Sequence, residues 1–269
     1  MPGAGPASRA APAGDGPVQR RERRGQIMSA VVERGRVDVP SLATEFAVSQ
    51  ATIRRDLEAL QEQRLVRRTH GGATIHAAFN DLPLSYKKTR NLEEKQRIAR
   101  HATAFLDGAR VIGTTGGTTV SQFAALLRGR DDLTVVTNAL NVAADLVARS
   151  GPRVFIAGGE VRVSSQESVG RSAEAFLAEC SIDVAFLGVD GVDAVAGCTN
   201  YDPAGARANA VLARRARRRI VLADATKIGR VTLAQVCRVA EVNLLITDCR
   251  APQAQLEPLQ GLGCTVVCV

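Results

Sequence analysis

The chain has 269 residues, 45% of them hydrophobic, and a formal net charge of +8 at pH 7. This length allows one large or two small domains, and the apolar content suffices for a buried core. Residues 1–90 hold 15 Lys and Arg against 9 Asp and Glu, so six of the eight net positive charges lie there. The first third of the chain is therefore basic and the rest nearly neutral.

Residues 1–18 are rich in Pro, Ala and Gly, with almost no large apolar side chain. Such a segment cannot bury enough surface to offset the entropy of ordering, so we predict a flexible tail. It lacks the apolar core of a secretory signal, and Arg20 to Arg24 follow it instead of preceding it. The arginine-rich, acid-poor start of the chain leaves an organelle transit peptide as an alternative. No run in the sequence approaches the ~20 apolar residues of a membrane span. We expect a soluble, cytoplasmic protein without a membrane partner.

Residues 19–75 contain three short helical patterns followed by a basic hairpin. Arg24 to Glu33 has apolar residues at helical spacing, and Val37 and Val39 are expected to form a short strand. Pro40 opens a second helix, in which Leu42, Ala43 and Phe46 are predicted to be buried. This order of elements is typical of a winged helix-turn-helix.

The third pattern runs from Ser49, in the segment SQATIRRDLEAL. Ser49 is placed to cap a helix by accepting a hydrogen bond from a backbone amide two or three residues later. Ile53, Leu57 and Leu60 then share one apolar face. The opposite face carries side chains that suit base edges and phosphates, namely Gln50, Thr52, Arg54 and Arg55.

A hairpin follows, with Arg67, Arg68 and His70 leading into Gly71 and Gly72. The glycines permit a tight turn and the basic residues are expected to face phosphate, as in the wing of a winged helix. An amphipathic helix with two arginines is, by itself, more often a solvated surface helix. Three helices followed by a basic wing favour DNA binding instead.

The segments VSQATIRRDL and RTHGGA resemble the DeoR-type family of bacterial transcriptional regulators. In that family a serine, then TIRRDL, then R-x-HGG mark the winged helix-turn-helix. The resemblance implies that double-stranded operator DNA is the partner. It assigns operator binding to Ser49, Gln50, Thr52, Arg54, Arg55, Arg67, Arg68 and His70.

Residues 76–92 are predicted to be a linker, and residues 93–269 a second domain in which strand-like and helical patterns alternate. The predicted strands are 110–114, 133–137, 153–157, 184–189, 219–223, 244–247 and 265–267. The predicted helices are 93–106, 118–127, 139–149, 172–180 and 204–217. This alternation indicates a doubly wound α/β fold with a mostly parallel sheet, whose ligands bind at the carboxyl ends of the strands.

The first strand of this domain leads into Thr115, Gly116, Gly117, Thr118 and Thr119, and a helix follows at once. Glycines let backbone amides approach an anion, and the helix dipole favours negative charge, so we interpret the loop as a phosphate cradle. No G-K-[ST] follows, and the G-x-G-x-x-G pattern is missing, so ATP and NAD are poor candidates and no cofactor is expected.

Other predicted strands end in further polar or glycine residues: Asn138, Gly158, Gly159, Asp190, Gly191 and the run Asp224 to Lys227. Each is weak alone, since Gly-Gly is usually a turn and Asp224 with Lys227 could be only a surface ion pair. Because they converge on one sheet edge, we expect an effector site formed by these residues and the glycine loop.

The resemblance extends to this region, where family members carry a sugar-phosphate-sensing domain similar to ribose-5-phosphate isomerase. It implies a phosphorylated sugar or polyol as effector, with Lys227 neutralising phosphate and Asp190 or Asn138 accepting from sugar hydroxyls. Many members have Asp-Ser before the loop glycine, where this chain has Thr114-Thr115. That difference bears on effector identity.

We therefore predict a homo-oligomeric transcriptional repressor of carbohydrate-metabolism genes. Two alternatives remain: a sugar-phosphate isomerase fused to a DNA-binding arm, whose acidic loop would be Asp190 to Asp193, and a non-specific DNA-compacting protein. The six cysteines are widely spaced and form no C-x-x-C pair, so metal binding is not expected. We interpret most of them as small buried hydrophobic residues.

Overall fold

A computed structural model describes residues 17–63, 65–75, 84–148 and 150–269. The chain divides into two compact units, residues 1–79 and 80–269. Most of the predicted tail and much of the predicted linker, at 1–16 and 76–83, lie outside the described residues. Residues 17 and 18 belong to the first helix, and residues 84–92 belong to the second unit.

The first unit is a winged helix-turn-helix, as the sequence predicted. Its three strands form one antiparallel sheet in the order β1-β3-β2. The elements are α1 (Pro17–Arg34), β1 (Arg36–Asp38), α2 (Val39–Glu45), α3 (Gln50–Glu62), β2 (Val66–Thr69) and β3 (Gly72–Ile75).

Local capping sets where these short helices begin. Asp38 accepts from the Ser41 amide, so α2 starts at Val39, which the sequence had placed in the strand. Because α2 ends at Glu45, Phe46 lies just beyond the helix and is only half-buried. The core beneath α3 consists of Ile27, Met28, Val31, Leu42, Ile53, Leu57 and Leu60.

The second unit is a seven-stranded parallel sheet covered on both faces by helices, with two smaller antiparallel sheets. Its helices are α4 (Leu84–Lys87), α5 (Leu92–Ala102), α6 (Thr118–Ala125), α7 (Leu140–Val147), α8 (Arg171–Glu179), α9 (Pro203–Arg215) and α10 (Gln253–Gly261). Its strands are β4 (Val111–Thr114), β5 (Thr134–Thr137), β6 (Arg153–Ile156), β7 (Glu160–Arg162), β8 (Glu167–Val169), β9 (Ile182–Leu187), β10 (Gly191–Asp193), β11 (Gly197–Asn200), β12 (Ala216–Leu222), β13 (Ala234–Cys237), β14 (Leu244–Thr247) and β15 (Thr265–Cys268).

Alternate residues of the central strands enter two separate cores. In β9, Val184 and Phe186 pack with α5, α6 and α7, whereas Ala185 and Leu187 pack with α8, α9 and α10. This alternation follows from the two-residue period of a strand. The doubly wound fold that the sequence predicted is confirmed.

The strand order is β15-β14-β12-β9-β4-β5-β6, and all six neighbouring pairs are parallel. The chain moves outward from β4 through β5 to β6 and then returns to β9 on the other side of β4. The direction of winding thus reverses between β4 and β9. A reversal of this kind leaves a crevice at the carboxyl ends of the two strands.

All seven predicted strands of this sheet are present, six of them with shifted ends and β14 with the predicted bounds. The helix predicted at 204–217 stops at Arg215, because Ala216 already begins β12. The helix predicted at 93–106 ends as α-helix at Ala102 and finishes in a 3-10 turn. Two helices, α4 and α10, and five short strands were not predictable from the sequence, since three- or four-residue strands and a helix containing Pro258 carry little periodicity.

Three of the six cysteines are buried, fewer than the sequence predicted. Cys198, Cys237 and Cys264 are buried, whereas Cys249 and Cys268 are exposed and Cys180 is half-buried. In the described ranges, no helix combines the length and apolar character required to cross a bilayer.

Candidate functional site

The exposed face of α3 carries three of the residues predicted to contact DNA. Gln50, Arg54 and Arg55 are exposed, while Ile53 and Leu57 on the opposite face are fully buried. The guanidinium of Arg54 lies 3.5 Å from the side-chain oxygen of Gln50, one turn earlier. This face presents amide and guanidinium groups together, which is the chemistry that reads base edges.

Ser49 and Thr52, also predicted to contact DNA, are engaged with each other. The Ser49 hydroxyl accepts from the Thr52 amide at 3.1 Å and lies 2.9 Å from the Thr52 hydroxyl. The predicted N-cap is thereby confirmed. These two side chains position the first turn of α3.

The wing is a two-residue turn at His70 and Gly71 between β2 and β3. Gly71 has φ +85°, and its carbonyl accepts from the Val39 amide at 2.8 Å, which holds the wing tip against α2. Arg67 and His70 are exposed. Arg68 differs, because it lies 3.0 Å from the Glu58 carboxylate on α3.

Asp56 has a structural role that the sequence did not predict. It is 1% exposed, and its two oxygens accept from Arg23 Nε at 2.6 Å and Arg24 Nε at 2.8 Å. Its position three residues after Ile53 places it on the apolar face of α3, and a charge there was the available signal. This carboxylate joins α1 to α3.

In the second unit, a cleft opens at the carboxyl ends of β4 and β9, where the winding reverses. Loops from both strands line it, together with α4, the start of α5, and residues of β8 and α9. Among the described residues, five basic and four acidic side chains face this cleft: Lys87, Arg90, Lys95, Arg162, Lys227, Glu167, Asp190, Asp202 and Asp224.

The glycine loop packs its backbone directly on that of β9. A Cβ on Gly188 would lie 2.5 Å from the Gly116 carbonyl oxygen, so no side chain fits there. The Thr115 hydroxyl accepts from the Gly188 amide at 2.8 Å. Gly116, Gly117, Thr118 and Thr119 line the cleft, and α6 begins at Thr118, so the amides of its first turn have no partner within the helix.

A buried carboxylate occupies part of the predicted phosphate cradle. The Gly116 amide donates to Oε1 of Glu167 at 2.9 Å, and Asn209 Nδ2 donates to the same oxygen at 3.3 Å. A Cβ on Gly116 would lie 2.7 Å from Glu167 Cγ, so the side chain rests on the loop. Burial raises the pKa of the Glu167 carboxyl, although the hydrogen bonds from Gly116, Asn209 and Ser165 act in the opposite direction.

The hairpin of β7 and β8 brings Glu167 to this place. The Leu140 amide donates to the Gln166 carbonyl at 2.8 Å, and the Ser168 amide donates to the Asn138 carbonyl at 2.7 Å. The hairpin is thus fixed on the loop that follows β5. The sequence analysis missed Glu167, because it lies in a polar run between Gly159 and the next predicted helix, and no local pattern marks it.

Two lysines flank one carboxylate at another part of the cleft. Asp190 Oδ1 lies 3.3 Å from Lys87 Nζ and 3.9 Å from Lys227 Nζ. Burial lowers the pKa of the Lys227 ammonium, and Asp190 counteracts this. Asp190 also accepts from the Tyr201 amide at 3.3 Å. Lys87 was not predicted, because it lies in the segment assigned to the linker.

Lys95 holds that segment in place. Its ammonium donates to the carbonyls of Lys87 at 2.7 Å and Arg90 at 2.5 Å. The side chain is 4% exposed, and desolvation lowers its pKa to about 8 despite the nearby Asp224 carboxylate. This lysine therefore fixes the turn that carries Lys87 into the cleft.

Asp224 and Lys227 do not form the surface ion pair considered from the sequence. Asp224 is 3% exposed and accepts from the Thr226 amide and from Asn91 Nδ2 at 3.2 Å. Its carboxylate caps the short turn Ala225–Lys227, which directs Lys227 toward Asp190.

The predicted effector residues therefore fall into three groups. Gly116, Gly117, Thr118, Thr119, Asp190 and Lys227 line the cleft. Thr115 and Asn138 are fully buried behind it, and Asn138 donates to Asn209 Oδ1 at 3.0 Å. Gly158, Gly159 and Gly191 are not part of the lining; the first two form the exposed turn into β7, and Gly191 packs against the Arg230 carbonyl. Gly158 and Gly159 lie outside the cleft because they follow β6, the edge strand, which β5 separates from β4.

The predicted acidic loop does not place both its acids in the cleft. Asp193 accepts from the amides of Val195 and Ala196 at 2.9 Å and 2.8 Å and thus closes the turn after β10. In the part of the chain that the structure describes, no group of His, Cys, Asp and Glu is arranged to hold a metal ion.

Comparison with known protein families assigns both units. Residues 23–78 match the DeoR-like helix-turn-helix domain, and residues 90–249 match the DeoR C-terminal sensor domain. The chain belongs to the DeoR family of transcriptional regulators. The DeoR-type resemblance seen in the sequence is confirmed, and the glycine loop, Glu167, Asp190 and Lys227 all lie in its sensor domain.

Curated relatives match almost the full chain. The glycerol-3-phosphate regulon repressor of Escherichia coli is 30% identical over 90% of this chain and 96% of its own length. The transcriptional regulator GlpR of Haloferax volcanii is 31% identical over 91% and 96%. The lactose phosphotransferase system repressor of Staphylococcus epidermidis is 30% identical over 86% and 93%.

Two solved structures show more distant similarity. A D-ribose-5-phosphate isomerase in complex with phospho-erythronic acid has 23% identity and a TM-score of 0.38, over 51% of this chain and 53% of that one. The sorbitol operon regulator SorC of Klebsiella pneumoniae has 13% identity and a TM-score of 0.36, over 88% and 99%. Similarity at this level bears on neither activity nor ligand.

Proposed function

We propose that this DeoR-family regulator represses carbohydrate-metabolism genes and that a phosphorylated sugar or polyol bound in the second unit alters its hold on operator DNA. The names of the relatives, repressors of a glycerol-3-phosphate regulon and of a lactose phosphotransferase system, support the class of target genes. The exposed Gln50, Arg54 and Arg55 on α3 read the operator, and Arg67 and His70 contact phosphate in the wing.

One observation carries the effector half of the proposal. The cleft lies where the winding reverses, between β4 and β9. It brings together the start of α6, Lys87 and Lys227 with carboxylates and amides. Lysines and helix amides attract a phosphate, and carboxylate and amide oxygens accept from hydroxyl groups. A ligand with a phosphate at one end and hydroxyl groups along its length fits both requirements.

Coupling needs two arrangements of the protein that bind the effector with different affinity, since equal affinity shifts no equilibrium. We propose that a homo-oligomer supplies these arrangements. An incoming phosphate would perturb the contacts of Asp190 with Lys87 and Lys227, because the phosphate competes with Asp190 for the same ammonium groups.

The test is a gel-shift assay on DNA upstream of the protein's own gene and its neighbours, with unrelated DNA as competitor and a panel of phosphorylated sugars and polyols. A specific shift that one compound releases or strengthens is expected. Competition by any DNA, together with indifference to every compound, would contradict the proposal and leave a non-specific DNA-binding protein. The unphosphorylated form of each compound is the matched control.

We also propose that the cleft is a sensor and not a catalytic site. Isomerisation of a sugar phosphate needs a base that is positioned to move a proton between adjacent carbons. In this chain Asp193 closes a turn, and Asp190 lies between two lysines. A coupled assay for ketose phosphate formed from aldose phosphates tests this, and turnover that depends on Asp190 would establish the enzyme instead.

A further inference from the structure

Glu167 is the feature of the cleft that the proposed function leaves unexplained. Glu167 as a residue is 6% exposed. Among the described residues, the hydrogen bonds that its carboxylate receives come from an amide, an asparagine and a serine rather than from a lysine or arginine. A buried carboxylate without a cationic partner is costly. Its cost is usually tolerated where the charge has a function.

The geometry fixes this charge against the loop that was expected to hold phosphate. Glu167 Oε1 accepts the hydrogen bond of the Gly116 amide. An anionic ligand would otherwise accept from this amide. The Glu167 side chain packs closely against the loop, because a Cβ on Gly116 would lie only 2.7 Å from Glu167 Cγ. Behind it, Asn209 is held by Asn138, so the network continues into the protein.

Charge therefore divides the cleft into two parts. Near Asp190 there are two ammonium groups, those of Lys87 and Lys227. At Gly116 there is one buried carboxylate. Arg162, opposite Glu167 in the same hairpin, also lines the cleft and pairs with Asp202 at 3.3 Å, and Asp190 adds to the negative potential that Glu167 experiences. A dianionic phosphate is attracted to the first part and repelled from the second, whereas a hydroxyl group donates well to a carboxylate.

We propose that Glu167 determines effector specificity: it accepts a hydroxyl group of the effector beside Gly116 and excludes a phosphate from that position. The effector class is then a polyol or sugar monophosphate whose only phosphate lies toward Lys87 and Lys227. A bisphosphate of the same carbon skeleton is rejected. This inference rests on the proposed function, because it assigns the orientation of the ligand within the same cleft.

The experiment compares matched pairs of ligands by isothermal titration calorimetry with the full-length protein. The pairs are glycerol 3-phosphate with glycerol 1,3-bisphosphate, ribulose 5-phosphate with ribulose 1,5-bisphosphate, and fructose 6-phosphate with fructose 1,6-bisphosphate. For a pair whose monophosphate binds, the measured quantity is the ratio of the Kd of the bisphosphate to that of the monophosphate. Wild-type protein is expected to give a ratio well above one.

Glu167→Gln keeps the shape and the acceptor for the Gly116 amide but removes the charge. We expect it to weaken monophosphate binding about tenfold, because a charged acceptor is replaced by a neutral one. The ratio should fall by about a factor of one hundred, since repulsion of the second phosphate is also lost. Glu160→Gln, an exposed change of the same charge on β7 of the same hairpin, should leave both values unchanged.

Glu167→Ser serves as a second variant, because it removes the carboxylate and also shortens the side chain. Melting curves verify that both variants are folded. An unchanged ratio in the folded variants, or tighter monophosphate binding, would overturn the inference while leaving the proposed function intact. Wild-type protein that binds no member of any pair would instead contradict the effector half of the proposed function, and the inference with it.

Discussion

Arg23 and Asp56 form an ion pair in the interior of the DNA-binding unit, with Arg23 Nε 2.6 Å from Asp56 Oδ2. The two side chains are 9% and 2% exposed, and Arg24 contacts the second oxygen of the same carboxylate. They connect α1 to the helix that presents Gln50, Arg54 and Arg55. The carboxylate inside the TIRRDL segment thus positions α3, while Arg54 and Arg55 of the same segment are exposed.

The first prediction concerns this buried carboxylate. Asp56→Ala should destabilise the first unit by about 3 kcal/mol, because it removes the buried carboxylate that accepts from both Arg23 and Arg24. Calorimetry of the full-length protein should show one transition shifted to lower temperature while the other stays. Glu45→Gln, which breaks the exposed pair with Arg34, should cost less than about 1 kcal/mol. Equal effects of the two variants would contradict the role of Asp56.

The second prediction concerns the exposed face of α3. The double variant Arg54→Ala/Arg55→Ala should lose preference for the operator over unrelated DNA, because a bidentate base contact discriminates by ~1–3 kcal/mol. Fluorescence anisotropy with specific and unrelated duplexes measures the ratio of the two affinities. The matched control is Arg97→Ala/Arg100→Ala, two exposed arginines on α5 in the sensor unit. An operator preference that survives the α3 changes would show that another surface reads the sequence.

The third prediction separates the sensor from the DNA-binding unit. Lys227→Ala should leave operator affinity within about twofold and abolish the response to effector, since the variant lacks an ammonium group that attracts phosphate. Gel shifts with and without effector provide both readouts. Lys88→Ala, an exposed lysine next to the turn that carries Lys87, should behave as wild type. Lost DNA binding in the Lys227 variant would point to a structural role for its contact with Asp190.

The fourth prediction uses the Lys95 ammonium, whose pKa burial lowers to about 8. In the unfolded chain its pKa is about 10.4, so between these two pH values the unfolded state binds more protons. The stability contribution of Lys95 therefore rises with pH above 8 and is constant below it. Relative to Lys95→Met, the wild-type protein should gain up to about 2 kcal/mol between pH 8 and pH 9.5. Urea unfolding of the sensor unit at the two pH values measures this gain. A stability difference between wild type and Lys95→Met that does not change with pH would contradict the lowered pKa.

Local patterns in the sequence were sufficient for the elements that depend on neighbouring residues. The Ser49 cap, the helical spacing of Ile53, Leu57 and Leu60, and the glycine-tipped wing each lie within a few residues, so the winged helix was predictable. The seven strands of the parallel sheet were also predictable. Strands buried on both faces appear as continuous apolar runs, and the more exposed edge strands β6 and β15 are also rich in β-branched or aromatic residues. Their carboxyl ends led to Gly116, Asp190 and Lys227.

Only the tertiary structure decided which of these strand ends meet and which charges face them. The strand order places β4 beside β9, so the glycine loop meets Asp190, while Gly158 and Gly159 at the edge strand are excluded. Lys87 enters the cleft because Lys95 holds its carbonyl, and Glu167 reaches Gly116 from 51 residues away. Such contacts depend on packing between distant segments, which leaves no periodic trace in the sequence.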